Sequence, residues 1–297
     1  MRILVTGVTG QVGSAVAARF AEFATVISAD RSRLDLSRPE QLADQLESLA
    51  PDVIVNPAAY TAVDRAESEQ DLAYRVNATS PGVMARWAAA RGVPFIHFST
   101  DYVFNGSGER PWREDDAVGP LNVYGASKLG GEQAVQSAGG PHLIIRTSWV
   151  YSANGANFLR TMARLMRERE ELTIVADQYG APTTAAYIAE SLTHILRNNS
   201  TNLPAALAAS GGRLHLAAGG VTTWHGFAEQ IRRGLGQRHV RVVTQQIRPI
   251  PSSQFKSAAT RPLNSRLDLS RLVSAFGIQP KPWNELLAAE LDQLAND

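Results

Sequence analysis

The chain contains no cysteine among its 297 residues, which excludes disulfides, zinc–thiolate centres, iron–sulfur clusters and a thiol nucleophile. It also lacks an excess of charge, since 29 basic residues stand against 28 acidic ones and the net charge is +1. That balance gives no electrostatic basis for binding nucleic acid or an anionic membrane surface. No apolar run approaches the roughly 18 residues of a membrane-spanning helix. The six histidines form no His-Glu-x-x-His motif, and residues 3–5 have the character of a buried strand rather than of a signal peptide. We therefore expect a cytoplasmic protein.

Short apolar runs alternate with longer amphipathic stretches in the first half of the chain. Strand-length runs occur at residues 3–5, 25–28, 53–55, 95–98 and 143–145, and helical patterns lie between them at 12–23, 39–49, 65–90 and 124–136. Strands without polar alternation are buried on both faces, and their alternation with helices implies right-handed βαβ crossovers. The sequence therefore predicts an α/β fold built on a doubly wound parallel sheet of the Rossmann type.

The regular alternation ends after Trp149. Helices are expected at 158–169, 186–196 and 223–235, and strands at 172–175 and 240–243. Residues 198–212 are rich in Asn, Ser, Ala and Gly, which predicts a surface loop or insertion. We expect a dinucleotide-binding domain over residues 1–148 with about 183–212, and a smaller α/β substrate-binding domain over 149–182 and 213–297.

Three glycines follow the first predicted strand with the spacing G-x-x-G-x-x-G, namely Gly7, Gly10 and Gly13. Glycine at such positions permits a tight turn, close approach of the backbone to a pyrophosphate and close packing of helix on strand. The N-terminus of the next helix offers free N–H groups and a partial positive charge to phosphates. The motif opens a βαβ series, which favours a dinucleotide site over an ordinary turn.

Asp30 follows the second predicted strand at about the 20-residue spacing of an acid that binds the adenosine ribose, which favours NAD over NADP. Arg31 and Arg33 lie beside it and suit a 2′-phosphate, or else belong to a solvated loop. The choice between NADH and NADPH stays open.

Tyr124 and Lys128 share one face of a predicted helix, one turn apart. A phenol has an unperturbed pKa near 10, and a neighbouring ammonium stabilises the phenolate by up to about 4 kcal/mol at roughly 4 Å and an effective dielectric of about 20. Such a tyrosine can pass a proton to a carbonyl oxygen as hydride reaches the carbon. The pair follows the glycine turn and the fourth strand, which favours catalysis over a surface helix pair. Glu132, one turn further, is assigned no chemistry.

The glycine turn, the Tyr124/Lys128 pair and the segment Ser99-Thr100-Asp101-Tyr102-Val103-Phe104 together resemble the extended short-chain dehydrogenase/reductase family. Within that family, residues 100–104, 120–125, 146–151 and 261–267 resemble the dTDP-4-dehydrorhamnose reductases in the same order. The similarity runs through nearly the whole chain and is weakest over residues 198–212 and the last thirty or so residues.

The resemblance implies a function and a set of site residues. The activity is the NADPH- or NADH-dependent reduction of the C4 keto group of dTDP-4-dehydro-L-rhamnose to dTDP-L-rhamnose, in dTDP-rhamnose biosynthesis. The implied catalytic residues are Thr100, Tyr124 and Lys128. The implied cofactor contacts are Gly7, Gly10, Gln11, Val12, Gly13, Asp30, Asp35, Leu36, Ala59, Tyr60 and Thr61, together with Tyr124 and Lys128, and the implied substrate contacts are Thr100, Asp101, Tyr102, Trp149 and Arg266.

Two departures from the family bear on metal and assembly. Some members form a magnesium-linked dimer through a glutamate in the first helix, where this chain has Ser14 and Ala15. A second carboxylate expected after Thr183 is also missing, since Ala185, Ala186 and Tyr187 follow there. We therefore expect no metal and either a monomer or a homodimer.

Two other functions stay open. One is a related sugar-nucleotide epimerase or dehydratase, although the dehydratases carry Asp-Glu after the threonine, where this chain has Asp101 and Tyr102. The other is a non-catalytic, dinucleotide-binding regulatory subunit, which the intact set of Thr100, Tyr124 and Lys128 argues against.

Overall fold

Six parallel strands form the main sheet in a computed structural model that describes residues 1–296. In chain order they are β1 (Arg2–Thr6), β2 (Thr25–Ala29), β3 (Val53–Asn56), β4 (Phe95–Thr100), β5 (His142–Thr147) and β10 (Arg213–His215). Across the sheet the order is β10-β5-β4-β3-β1-β2. The chain therefore reverses its direction of progress between β1 and β3, and ligands of such sheets bind beyond the carboxyl ends of the strands at that point.

Helices cover both faces of the sheet because every central strand is apolar on both sides. One face carries α1 (Gln11–Phe20), α8 (Ala185–Asn198), α9 (Leu203–Ala209) and α11 (Ser270–Phe276). The other face carries α2 (Leu42–Leu49), α5 (Ser80–Ala90) and α6 (Val123–Ser137). Between β3 and α5 the chain forms the short helices α3 (Val63–Ala66) and α4 (Gln70–Tyr74) and then a π-helical turn, Arg75–Thr79.

A second, smaller core lies beyond the sheet. Its elements are β7 (Glu171–Val175), paired in parallel with β12 (Gln246–Ile250), and the helices α7 (Phe158–Glu168), α10 (Trp224–Gln237) and α12 (Trp283–Asn296). Two pairs of two-residue strands complete it, β6 (Val150–Tyr151) with β9 (Thr183–Thr184) and β8 (Tyr179–Gly180) with β11 (Thr222–Thr223). Apolar side chains such as Leu159 and Phe227 are fully buried there.

The predicted fold class is confirmed, and each of the five predicted strands of the first half occurs. The prediction for residues 198–212 was wrong, because α9 lies there and buries Leu203 and Leu207 against the sheet. These two leucines are one helical turn apart, which places both on one face. The small and polar residues around them hid this spacing in a segment that otherwise has loop composition.

Three smaller corrections follow from the observed elements. The strand expected at 240–243 is absent, and β12 instead begins at Gln246, in register with Glu171. The helical pattern at 65–90 is broken by a turn after α3 and by the π-helical turn. Residues 213–215 were assigned to the substrate-binding domain, whereas β10 is the edge strand of the main sheet. The division of the chain into two domains stays a prediction.

Among residues 1–296, no helix is both long and apolar enough to cross a membrane. In the same part of the chain, no group of three or more His, Asp or Glu side chains is arranged to hold a metal ion.

Candidate active site

A cavity of about 890 Å³ lies beyond the carboxyl ends of the central strands. Its walls come from the turn after β1, the loop after β3, the ends of β4 and β5, the start of α6 and the beginning of α10. All of the predicted cofactor and catalytic residues line this cavity. The predicted substrate residues Asp101, Tyr102 and Trp149 line it as well.

The glycine turn has the shape that a pyrophosphate requires. Gly7 adopts a φ of +58°, and a Cβ there would stand 2.9 Å from the Cα of Ala58. A Cβ on Gly13 would stand 2.1 Å from the carbonyl oxygen of Gly7. Helix α1 begins after Gly10 without a side-chain cap, so its first N–H groups are open towards the cavity. The backbone here fits the diphosphate of a dinucleotide.

The acid after β2 is held by its own loop. One carboxylate oxygen of Asp30 accepts hydrogen bonds from the Ser32 amide (2.9 Å) and hydroxyl (2.6 Å) and from the Arg33 amide (3.3 Å). These bonds, chiefly those from Ser32, lower the pKa of Asp30. Arg31 lines the cavity, whereas the guanidinium of Arg33 donates to the carbonyl of Ser28. Of the two arginines, only Arg31 lies where a 2′-phosphate could reach it.

Asn77 holds the loop after β3 in place. Its side chain accepts from the amide of Tyr60 (2.8 Å), donates to the carbonyl of the same residue (3.0 Å) and donates to the Ser127 hydroxyl (2.9 Å). It therefore joins Tyr60, in the cavity wall, to the helix that carries Tyr124 and Lys128. Sequence reasoning missed this residue because an asparagine within a helical pattern gives no signal, and the π-helical turn that contains it is recognisable only in three dimensions.

Thr100 ends β4 and turns its hydroxyl into the site. That hydroxyl donates to a carboxylate oxygen of Asp101 (3.0 Å) and accepts from the amide of Tyr102 (3.2 Å). Burial raises the pKa of Asp101 to about 6. The ring of Tyr102 meets the ring of Tyr124 edge to face, with centroids 5.6 Å apart. The strand end and the start of α6 are thus in direct contact.

The start of α6 is defined by its cap and by one close contact. Asn122 caps the helix by accepting from the amide of Gly125 (2.8 Å). A Cβ on Gly125 would stand 2.2 Å from the carbonyl oxygen of Tyr102. Glycine at this position lets the first turn of α6, with Tyr124, approach the end of β4.

The electrostatics of the Tyr–Lys pair differ from the sequence-based expectation. Burial raises the pKa of Tyr124 to about 12, and a hydrogen bond with Thr100 acts in the opposite direction. Burial lowers the pKa of Lys128 to about 8, and the carboxylate of Glu132 acts against that shift. The ammonium of Lys128 donates to the carbonyl of Phe98. The phenol is therefore protonated at neutral pH rather than converted towards phenolate.

Three buried hydroxyl groups line the cavity at the ends of β4 and β5, on Ser99, Thr147 and Ser148. None of the three oxygens has a hydrogen-bond partner within residues 1–296. Buried polar atoms without a partner are uncommon, and these three lie on residues that border the cavity.

Two stacked indoles form another wall. The rings of Trp149 and Trp224 lie 3.7 Å apart, nearly parallel, and both line the cavity. Trp149 has a φ of +50°, and a Cβ on Gly180 would stand 2.7 Å from its ring. Trp224 donates to Gln178 through its indole nitrogen (3.1 Å). Sequence reasoning missed Trp224, because it is the first residue of an ordinary amphipathic helix and lies far from the other motifs.

Arg266 does not line the cavity with the other predicted substrate residues. Its Nε donates to the side-chain oxygen of Asn264 (2.7 Å), and its guanidinium lies 5.3 Å from the centroid of the Tyr179 ring. The structure therefore separates this arginine from the rest of the predicted set.

The chain is similar to known proteins over almost its whole length. The model of the RmlD substrate binding domain family matches residues 1–296. A dTDP-4-dehydrorhamnose reductase of Burkholderia thailandensis is 47% identical over 287 residues, which cover 95% of each chain. A protein of the same name from Escherichia coli is 41% identical over 298 residues, which cover 99% of this chain and 98% of the relative.

Solved structures give the same picture. A dTDP-4-dehydrorhamnose reductase of Clostridium acetobutylicum matches with a TM-score of 0.89 at 32% identity, covering 99% of both chains. A Bacillus anthracis protein of that name, in complex with NADP, has a TM-score of 0.87 at 32% identity, covering 98% of this chain and 99% of the other. A UDP-glucose 4-epimerase of Thermotoga maritima, at 18% identity and a TM-score of 0.80 over 100% of this chain and 99% of its own, shares the fold.

Proposed function

This chain belongs to the RmlD substrate binding domain family, and from that membership we propose that it is a dTDP-4-dehydrorhamnose reductase. It reduces the C4 keto group of dTDP-4-dehydro-L-rhamnose to the alcohol of dTDP-L-rhamnose with NADPH or NADH, in dTDP-rhamnose biosynthesis. The observation that carries the proposal is the meeting of Thr100, Tyr124 and Lys128 in one cavity with the glycine turn after β1. The full-length similarity to proteins of that name supports it.

The backbone between Gly7 and Gly13, together with the N-terminus of α1, would hold the diphosphate of the cofactor. Asp30 and Arg31 would meet its adenosine end, and the loop that contains Tyr60 would meet its nicotinamide ribose. When bound, the reduced nicotinamide supplies the hydride that adds to the carbonyl carbon of the sugar.

The protein's own residues manage the proton. The phenol of Tyr124 has its pKa raised to about 12, so it is protonated at neutral pH and donates its proton to the carbonyl oxygen as the C–O double bond is reduced. The Thr100 hydroxyl, which donates to Asp101 in the absence of substrate, would turn to donate its hydrogen bond to the same oxygen when the sugar binds. The ammonium of Lys128 stabilises the phenolate that remains on Tyr124 and binds the ribose. The nearby carboxylic group of Asp101 and the rings of Tyr102 and Trp149 position the sugar.

The alternative functions lack an observation of their own. The second carboxylate of a dehydratase is replaced by Tyr102, and burial raises the pKa of this phenol beyond its ordinary range. We further propose that the protein acts in the cytoplasm, as a monomer or homodimer, without a metal ion.

The test is an assay of reduced-nicotinamide oxidation with freshly generated keto sugar, run with NADPH and with NADH. We expect Tyr124→Phe to lower kcat by about 10²- to 10⁴-fold, the usual contribution of a general acid, with an unchanged Kd for NADPH. Tyr74→Phe, at a tyrosine that is 41% exposed, is the matched control and should retain wild-type turnover. A fully active Tyr124→Phe enzyme would refute the mechanism. Turnover without net oxidation of the cofactor would instead identify an epimerase or dehydratase.

A further inference from the structure

A fully buried ion pair lies directly behind the proposed catalytic residues. Arg146 in β5 and Glu132 in α6 are 0% and 2% exposed, and they make two parallel hydrogen bonds, Nε to Oε1 at 2.8 Å and Nη2 to Oε2 at 2.6 Å. The remaining terminal nitrogen of Arg146 donates to the carbonyl of Glu114 (3.0 Å), and the guanidinium lies 4.9 Å from the centroid of the Phe104 ring.

Stability alone is a weak explanation for this pair. Removing both charges from water costs about as much as their attraction returns, and well-packed apolar residues of similar volume often replace a buried ion pair without loss of stability. The pair therefore has to be understood from what it connects.

The pair connects α6, which carries Tyr124 and Lys128, to β5, the neighbour of the strand that ends in Thr100. Glu132 lies one turn after Lys128 and two turns after Tyr124, so the three side chains form one stripe along α6. Arg146 is in register with Ser99, the residue before Thr100, in the neighbouring strand β4. The two parallel hydrogen bonds therefore fix α6 to the strand ends at a point close to all three reacting side chains.

The pair also places a negative charge beside Lys128. The charged and titratable groups beside the Lys128 ammonium are Tyr124 and Glu132 on its own helix and His97 on β4. Burial and the neighbouring ammonium hold the pKa of His97 well below its ordinary value, so this imidazole is neutral. Glu132 alone opposes the effect of burial on Lys128, whose pKa is about 8.

We propose that Glu132 and Arg146 are positioning residues, which fix α6 so that Tyr124 and Lys128 face Thr100 and which supply the negative charge that keeps Lys128 an ammonium. This proposal rests on the proposed function for the meaning of that geometry. If the pair served only to stabilise the fold, neither its position next to Lys128 nor the negative charge of Glu132 would be required.

The test is the double variant Glu132→Met/Arg146→Met, which replaces the pair with apolar side chains of similar length. We expect it to fold, with a Tm within about 5 °C of wild type, and to lose at least about tenfold in kcat. The alkaline limb of its pH profile should move about one pH unit lower, because Lys128 without Glu132 loses its proton more readily. Arg164→Met/Glu168→Met removes an exposed ion pair of α7 and should change neither quantity. Wild-type kcat and an unshifted limb in Glu132→Met/Arg146→Met would overturn the proposal.

Glu132→Asp separates charge from position and decides the matter if the double variant does not fold. It keeps the charge but shortens the side chain by one methylene, so we expect a wild-type alkaline limb with a lowered kcat. An unchanged kcat, or a shifted limb, would contradict the proposal.

Wild-type turnover is measured first, because its absence counts against the proposed function rather than against the pair. In that case the proposal for Glu132 and Arg146 is tested by measuring the Kd for NADPH as a function of pH, which requires no turnover. We expect affinity in the double variant to fall at a pH about one unit lower than in wild type, and identical pH dependence would overturn the proposal.

Discussion

Replacing Gly131 by alanine is expected to destabilise the fold and to slow turnover, although alanine is the better helix former. Gly131 lies in α6, where an added Cβ would stand 2.1 Å from the carbonyl oxygen of Asn77 and 3.2 Å from Nε2 of His97. Real Cβ atoms essentially never come within 3.0 Å of another heavy atom. Helix α6 and the π-helical turn therefore have to separate by about 1 Å, since a close-packed interior offers no free space.

The opposing energies can be compared directly. Replacing glycine by alanine within a helix raises the free energy of unfolding by about 1 kcal/mol, whereas an added methyl group in a well-packed site lowers it by about 1 to 3 kcal/mol. The obstacle here is a backbone carbonyl, which cannot rotate away, so we place the cost at the upper end and expect a net loss of about 1 to 2 kcal/mol in the free energy of unfolding. Because Tyr124 and Lys128 lie in the same helix as Gly131, a displacement of α6 by about 1 Å should also lower kcat by roughly 10²-fold.

The assay is urea unfolding followed by fluorescence, together with steady-state turnover. Gly236→Ala is the matched control, because this glycine lies in helix α10 and a Cβ there meets nothing within 4 Å. It should gain up to about 1 kcal/mol in the free energy of unfolding and keep wild-type turnover. If Gly131→Ala were as stable and as active as Gly236→Ala, the close contact with Asn77 would not constrain α6 and the reasoning would be refuted.

Three further predictions concern the cavity. Trp224→Ala removes one ring of the stacked wall and should raise the KM for the sugar nucleotide several-fold, since the lost stacking is worth about 1 kcal/mol, while the Kd for NADPH stays constant. The control Trp283→Phe, in the second core, should leave both constants unchanged. Arg31→Ala should raise the KM for NADPH without raising that for NADH, and an equal change with both cofactors would place the 2′-phosphate elsewhere. Asp101 has a folded-state pKa of about 6, above its unfolded value, so the folded state binds the proton more tightly and loses stability as the pH rises from about 4 to 6. Asp101→Asn should remove this loss, which is worth about 3 kcal/mol above pH 6. Urea unfolding at pH 4.5 and 7.5 tests this, and an equal gain in the free energy of unfolding at both pH values would contradict it.

Much of the fold could be predicted from the sequence because the signals are local. The strands of the first half are continuous apolar runs, as in β3, and a glycine turn at the end of β1 marks the dinucleotide side of the sheet. Helix α9 escaped prediction because its two core leucines lie among residues typical of loops. Strand β12 escaped because its apolar content is low and its partner β7 lies about 75 residues away.

Site residues could be predicted where they lie in a short sequence motif. They could not be predicted where their role depends on contacts with residues far away in the sequence. Tyr124 and Lys128 follow from one helical turn. Asn77 and Trp224 depend on contacts with residues that are remote in the sequence, so no local pattern marks them. Arg146 lies in the motif at residues 146–151, but that motif does not show its pairing with Glu132. The pKa of Tyr124 was expected to depend on the charge of Lys128, whereas in the structure burial raises it and a hydrogen bond with Thr100 opposes that shift.

The position of β10 has a consequence for synthesis on the ribosome. This strand covers the outer edge of β5, yet it follows the end of β5 by more than 60 residues, after strands β6 to β9 and helices α7 to α9 have been made. At about 5 to 20 residues per second, translation takes several seconds to supply it. During each round of synthesis the nascent sheet therefore presents a row of unpaired backbone groups along β5, the kind of edge through which two chains can join. Until this three-residue strand is made, chains on neighbouring ribosomes have β5 edges through which they could pair with each other.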